Sequence, residues 1–264
     1  MNLPVFDFRG RTALVTGSTQ NLGLSIARAF AVAGARVIIH GPSSADAQST
    51  AEALRIETGS LDIEAVAFDL GSETEINAAF ADLASRDLMP DVLVNNAAHL
   101  GVGSSGFLEQ TPEFFRSVME VNLFGSFRCS QLAAKAMQAK GGGAIVFISS
   151  LAGERAIWGR SAYNTSKAAV DGLMRSMALE LAPAKIRVNA ITPGYIWTPR
   201  WESIPEETES RRLANVPAGA PTRQEEIARM TLFLASDAAP SLLGSRIVLD
   251  GGLDAQQVPR DIAV

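Results

Sequence analysis

Thr12-Ala13-Leu14-Val15-Thr16-Gly17-Ser18-Thr19-Gln20-Asn21-Leu22-Gly23 is the stretch on which the fold turns. Thr12 to Thr16 is a short apolar and β-branched run closed by glycine, the pattern of a buried strand. From Leu22 onward, Ile26, Ala29, Phe30 and Ala33 return at helical spacing. A strand that passes through a glycine turn into a helix aims backbone N–H groups at an anion placed on the helix N-terminus. Gly17 permits the tight turn, and Gly23 permits close packing of helix on strand. A glycine turn alone is a weak sign, so the chain around it must supply the context.

That context is regular. Further apolar runs follow at Arg36–His40, Ile63–Phe68, Asp91–Asn95, Ala144–Ile148, Arg187–Ile191 and Arg246–Leu249. Continuous apolar runs suit strands covered on both faces. Between them lie helical stretches: Leu22–Ala33, Ser44–Thr58 with Gly59 as its stop, Thr111–Lys140 ended by Gly141 to Gly143, and Ser161–Leu181. Strand–helix alternation with right-handed crossovers predicts an α/β fold, a doubly wound parallel seven-stranded sheet. The segment Thr198–Pro221, rich in Pro, Glu and Arg, interrupts the alternation. It is read as a substrate lid within a single domain spanning residues 1–264.

Composition narrows the class. The chain of 264 residues is 47% hydrophobic and 19% charged, which excludes a disordered polymer. A net charge of −5 argues against nucleic acid as main partner. The single cysteine, Cys129, excludes an intrachain disulfide. The N-terminus lacks a basic start followed by an apolar run, and no apolar run is long enough for a membrane span. A soluble, cytoplasmic protein without a membrane partner is expected.

The turn resembles the Thr-Gly-x-x-x-Gly-x-Gly motif of the short-chain dehydrogenase/reductase family, with Asn21 in place of the middle glycine. Asparagine tolerates positive φ better than other residues with a side chain, so the turn is expected to survive. The resemblance implies a Rossmann fold and an NAD or NADP cofactor. It places the cofactor on Gly17, Ser18, Gln20, Asn21, Leu22 and Gly23. Asp69 in Phe68-Asp69-Leu70 matches the family acid at the adenine, though an Asp there can also cap a helix. Asn95-Asn96-Ala97-Ala98 resembles the family's Asn-Asn-Ala-Gly run, Asn95 bracing the sheet and the backbone of Asn96 to Ala98 lying beside the adenosine ribose. Where NAD enzymes carry an acid at the second strand's end, this chain has Gly41, within His40-Gly41-Pro42-Ser43-Ser44. No acid there repels a 2′-phosphate and no Arg or Lys attracts one; Ser43 can donate to either group. A desolvated phosphate without a cation is costly. The balance favours NAD, with NADP as the alternative if His40 supplies a cation.

Tyr163-Asn164-Thr165-Ser166-Lys167 is the most informative stretch for chemistry. Residues four apart share one helix face. Lowering a phenol's pKa by ~2 to 3 units takes roughly 3–4 kcal/mol. A unit charge at ~4 Å gives about that at an effective dielectric of ~20. The lysine is therefore expected to make Tyr163 ionisable near neutrality. The resemblance adds Ser150, thirteen residues before Tyr163, and Asn122, in a tetrad with Tyr163 and Lys167. In the family the asparagine amide holds a water that relays protons. Pro193-Gly194-Tyr195-Ile196-Trp197-Thr198 is similar to the family's Pro-Gly-x-x-x-Thr, with Thr198 and the Ile196 backbone at the nicotinamide carboxamide. The motifs run from about residue 9 to residue 252, and their joint order is far more specific than any one of them. The implied activity is direct hydride transfer between a secondary alcohol or hemiacetal and a carbonyl. No metal is expected, since His40 and His99 are the only histidines and no Cys/His cluster has zinc spacing.

Arg155, Arg160, Arg200, Trp158, Trp197 and Trp201 fall in segments that flank the substrate space of such a fold, and His99 follows the Asn-Asn-Ala-Ala run. Together they point to a polar, anionic or cyclic substrate, a sugar or polyhydroxy compound. A 3-oxoacyl-(acyl-carrier-protein) reductase is the alternative, and an inactive dinucleotide-binding scaffold is the alternative outside enzymes. The closing segments Phe233–Asp237 and Leu249–Gly252 resemble those that build the family's homotetramer.

Overall fold

In the computed structural model, which describes residues 6–103 and 106–258 and leaves the Arg200 side chain aside, seven strands form one parallel sheet. They are β1 (Thr12–Val15), β2 (Arg36–Gly41), β3 (Ile63–Ala67), β4 (Val92–Asn95), β5 (Gly143–Ile148), β6 (Ile186–Pro193) and β7 (Arg246–Leu249). Their order is β3-β2-β1-β4-β5-β6-β7, with every pairing parallel. The chain winds outward from β1 to β3, then returns to the other side of β1 as β4. That reversal opens a crevice above the carboxyl ends of β1 and β4, where ligands bind in sheets of this kind.

Alternation along each strand feeds two cores. Ala13, Val15, Val37 and Ile39 pack on one face with α1 (Asn21–Val32) and α8 (Gln224–Ala235). Leu14, Ile38, Leu93 and Phe147 pack on the other. There they meet α3 (Glu73–Ser85), α5 (Ser126–Lys140) and α6 (Ser161–Leu181). Helix ends follow local chemistry. Ser43 caps α2 (Ser44–Thr58), and Gly59 ends it at φ +69°. Such a left-handed residue costs glycine little.

The sequence predicts one helix over 111–140, but the protein breaks it. Helix α4 (Pro112–Met119) and α5 are joined by a π-helical turn, Glu120–Gly125, which holds Asn122. A Cβ at Gly125 would lie 2.3 Å from the Leu70 carbonyl oxygen, so this turn presses directly on the loop after β3. Helical periodicity does not register such a wide turn, which is a device found often at functional sites.

The 198–221 stretch is structured. A short 3₁₀ turn, Pro199–Ser203, leads into α7 (Glu206–Ala214), whose residues are all at least partly exposed. Trp201 anchors it. Its indole N–H donates to the Ile196 carbonyl at 2.7 Å, its ring meets Tyr195 edge-on, and Arg212 lies over both rings.

Phe30 is fully buried and meets the Phe8 ring at 5.0 Å in an edge-to-face pair. Truncation there leaves a cavity between α1 and the N-terminal segment. Phe30→Ala is expected to lower the free energy of unfolding by about 3–5 kcal/mol, read from the urea midpoint.

Candidate active site

The turn after β1 is held from below. Thr16 Oγ accepts the N–H groups of Asn96 at 3.0 Å and Ala97 at 3.1 Å. The Asn96 amide donates to the carbonyls of Thr16 at 2.9 Å and Gly17 at 3.1 Å. Gly17 sits at φ +62°, with Ala97 so close that a Cβ would meet the Ala97 Cβ at 2.8 Å. At Gly23 a Cβ would come within 2.1 Å of the Gly17 carbonyl oxygen. Asn21 adopts φ +48°, as expected of the residue replacing the middle glycine. Helix α1 has no side-chain cap and no acid in its first turn, whereas α2 and α3 have both. Its first N–H groups therefore remain available for an anion, so this cradle fits the pyrophosphate of a dinucleotide.

One cleft runs from this turn along the carboxyl ends of the strands. Gly17, Gln20, Asn21, Leu22, Gly23, Asn96, Ala97 and Ala98 line one end; Ser150, Tyr163, Lys167, Pro193, Gly194 and Ile196 line the other. Thr19, Pro42, Leu100 and Ile148, which the sequence does not single out, complete the wall with Ser149, the neighbour that the Ser-x-x-Gly alignment passes over in favour of Ser150. Ala98 keeps a negative φ, so its departure from the family's glycine carries no strain.

Other expected residues lie behind or beside the cleft. Ser18 is fully buried and brackets β2, its hydroxyl accepting the His40 N–H at 2.9 Å. Gly41 lies under Thr19, whose methyl would be 2.7 Å from a Cβ there. Ser43 accepts the Asp46 N–H as helix cap. Asp69 accepts the Gly71 N–H at 2.8 Å, while Ser72, not Asp69, caps α3. Leu70 is buried under the π turn, and Thr198 starts the 3₁₀ turn with an extended backbone.

His40 corrects an expectation. Its Nδ1 accepts the Gly17 N–H at 2.9 Å, which leaves Nε2 to donate to the Phe68 carbonyl at 3.1 Å. Burial drives its pKa down to about 4, against the opposing Phe68 hydrogen bond and Asp69 charge. The imidazole is a neutral strut between the turn and β3, so it supplies no cation for a 2′-phosphate.

Tyr163 and Lys167 lie on one face of α6, 8% and 4% exposed. The lysine Nζ donates to the Ile148 carbonyl at 2.8 Å and stands 5.8 Å from the phenol ring centre. Burial lowers the Lys167 pKa to about 8, opposed by the charge of Asp171. Burial also raises the Tyr163 pKa, opposed by a hydrogen bond from Ser150 and the charge of Arg160. The expected one-lysine lowering of the phenol is therefore corrected. The desolvation that brings the two groups together also penalises their charged forms.

Asn122 is buried in the π turn. Its amide oxygen accepts the His99 N–H at 2.7 Å, and its nitrogen donates to the His99 carbonyl at 3.0 Å and to Ser166 Oγ at 2.9 Å. That side chain is committed to the loop beside Tyr163, where a Cβ on Gly101 would lie 3.0 Å from the Tyr163 Cβ. The His99 ring meets Phe114 edge-on. Arg155 pairs with Asp254 at 2.8 Å, and Trp201 is buried in the segment it anchors. Trp158 is almost wholly exposed and Trp197 partly so. Among the described residues no His, Cys, Asp and Glu cluster could hold a metal. No helix among them is long and apolar enough to cross a membrane.

A family model described as enoyl-(acyl carrier protein) reductase matches residues 17–254. The chain is 36% identical over 246 residues to a 3-oxoacyl-(acyl-carrier-protein) reductase of Aquifex aeolicus, covering 93% of this chain and 98% of that one. It is 37% identical over 255 residues to galactitol 2-dehydrogenase of Rhizobium johnstonii, covering 94% and 96%. Among solved structures, gluconate 5-dehydrogenase from Burkholderia cenocepacia, in complex with NADP and tartrate, superposes with a TM-score of 0.89. Identity there is 31%, over 95% of this chain and 98% of that one.

The His40 strut sets a pH dependence. Its folded pKa, about 4, lies below the ordinary value of 6.5. The unfolded chain therefore binds the proton first, and stability falls as pH drops from 6.5 towards 4. Between pH 7 and pH 5 this one group is expected to remove about 2 kcal/mol of unfolding free energy. Urea titrations at both pH values should show that increment in the wild type and its absence in His40→Asn.

Proposed function

The chain belongs to the short-chain dehydrogenase/reductase family, and from that premise we propose that Ser150, Tyr163 and Lys167 carry an NAD(P)-dependent interconversion of a secondary alcohol and a carbonyl. The observation that carries the reading is the placement of Tyr163 and Lys167 on one helix face, the ammonium nitrogen 5.8 Å from the phenol ring centre, with Ser150 in the same cleft. A bound nicotinamide dinucleotide supplies the hydride acceptor or donor. The uncapped N-terminus of α1 and the Gly17–Gly23 turn would hold its pyrophosphate, and Lys167 its nicotinamide ribose. Ser150 orients the substrate oxygen. Tyr163 passes the proton to that oxygen in reduction and takes it in oxidation. Asn122 fixes the His99–Gly101 loop against Tyr163, which shields the phenol from water.

The dinucleotide is proposed to be NAD. Gly41 lies beneath Thr19 and offers no acid, His40 stays neutral, and Pro42-Ser43-Ser44 brings no cation. A 2′-phosphate would lose water there without gaining a charge partner. The substrate is proposed to be a sugar acid or related polyhydroxy compound. Arg160 is a cation whose charge reaches the phenol, and among the described residues its guanidinium makes one long bond, 3.4 Å to the Leu100 carbonyl. Residues 198–221, anchored through Trp201, are proposed as the lid. The family resemblance supports a homotetramer, and a cytoplasmic setting is kept from the sequence reading. An acyl-thioester substrate is the second reading, supported by the Aquifex relative.

Several outcomes test this reading. Tyr163→Phe is expected to lower kcat by roughly two to four orders of magnitude while the affinity for reduced dinucleotide stays near wild type. Retained turnover would remove the phenol from the mechanism. The raised Tyr163 pKa keeps the proton on the phenol at neutral pH. Reduction should therefore proceed at neutrality and fade at alkaline pH, while oxidation rises with pH. Arg160→Leu should raise KM for an aldonate or uronate roughly tenfold, the scale of one charge-assisted hydrogen bond, and leave a neutral polyol unaffected. Activity confined to acetoacetyl thioesters with NADPH would overturn both the substrate and the cofactor.

A further inference from the structure

Asp171 continues the line of Tyr163 and Lys167, one further turn along α6. It is 5% exposed, a carboxylate inside the protein, yet its Oδ1 has no hydrogen-bond partner. Among the described residues, three other buried polar atoms on or just after β5, β6 and β7 share that condition: Ser149 Oγ, Thr192 Oγ1 and Arg246 Nη1. Strand register brings them together. Ile148 pairs with Ile191, and the Ser149 N–H donates to the Ile191 carbonyl at 2.8 Å, which sets Ser149 beside Thr192. Thr192 pairs with Val248, and Arg246 lies two residues earlier on the same strand face.

Buried polar groups rarely stay unpaired, and a cluster of four such groups is a natural place for ordered water. Lys167 lies one turn before Asp171 on the same helix, and its only hydrogen bond among the described residues is to the Ile148 carbonyl. An ammonium can donate three. We propose that Asp171, buried with Ser149, Thr192 and Arg246 at the ends of neighbouring strands, is a positioning residue whose negative charge sustains the Lys167 ammonium beneath the Tyr163 phenol. Asp171 is the counter-charge that offsets the burial of Lys167, and burial works against ionisation of both. Among the described residues, groups on three neighbouring segments face this pair. They are Tyr163 and Arg175 from α6, Ser149 after β5 and Arg246 from β7, the last also paired with Glu154 at 2.7 Å. Removal of the carboxylate leaves the lysine surrounded by neutral groups and cations, so it should release its proton at lower pH.

This inference rests on the Tyr163–Lys167 reading, and the test separates the two. The chain has four lysines, Lys135, Lys140, Lys167 and Lys185. Carbon-13 labelling of the lysine ε-carbon then gives a spectrum simple enough to follow each ammonium through a pH titration of the folded protein. The Lys167 signal is assigned by its loss in Lys167→Arg. In Asp171→Asn the Lys167 titration is expected to move down by about one pH unit, and Asp171→Glu should restore it. With substrate and saturating dinucleotide, the alkaline limb of the kcat profile should move in the same direction. Should Asp171→Asn fail to fold, Arg246→Gln serves instead. Removing the cation that faces the same carboxylate should move the Lys167 titration upward. A Lys167 titration unchanged in the folded variants overturns the role of Asp171. Full turnover in Lys167→Arg together with shifted titrations would instead overturn the catalytic reading and leave the charge coupling standing.

Discussion

The close approach of α1 to the end of β1 is the constraint on which the rest depends. With the Gly17 carbonyl and the Asn96 amide lying directly against Gly23, any side chain at that position would collide with backbone. The contact holds because the turn is tied on three sides, by Asn96 after β4, by Thr16 and by His40 from β2. Three strands distant in sequence thus converge on one turn, which leaves the first N–H groups of α1 uncapped at the mouth of the crevice. Polar groups that would otherwise be costly to bury are satisfied by one another.

The same economy governs the catalytic end. Burying Tyr163 and Lys167 side by side makes both harder to ionise, and the site accommodates this with specific partners. Ser150 and Arg160 act on the phenol, Asp171 on the ammonium. Desolvation thus holds the proton on the phenol and weakens the hold of the amine on its own. Asn122 is part of this balance through shape. Its amide clamps the His99 backbone and thereby the loop lying against Tyr163.

The architecture around these groups was largely legible in the chain. The seven runs and their spacing foretold seven parallel strands, and the helices at Ser44–Thr58 and Ser161–Leu181 appear with those bounds. The one helix expected over 111–140 was not, because apolar periodicity averages over a π turn that is set by contact with Leu70. The tryptophans and arginines near the substrate space could not be sorted from sequence. Arg155 turns to Asp254, Trp201 anchors its own segment, and Arg160 acts on the phenol.

Period, turn chemistry and the four-residue interval between Tyr163 and Lys167 are local properties, so the order of residues by itself determined the sheet, the phosphate-type turn and the pairing of phenol with amine on one helix face. The tertiary structure alone decided what each polar group meets. It made His40 a neutral strut instead of a cation, spent the Asn122 amide on His99 and Ser166, and buried Asp171 one turn beyond the lysine. The reason is physical. Charge state follows from desolvation and from partners tens of residues away, and neither is encoded in the spacing of neighbours.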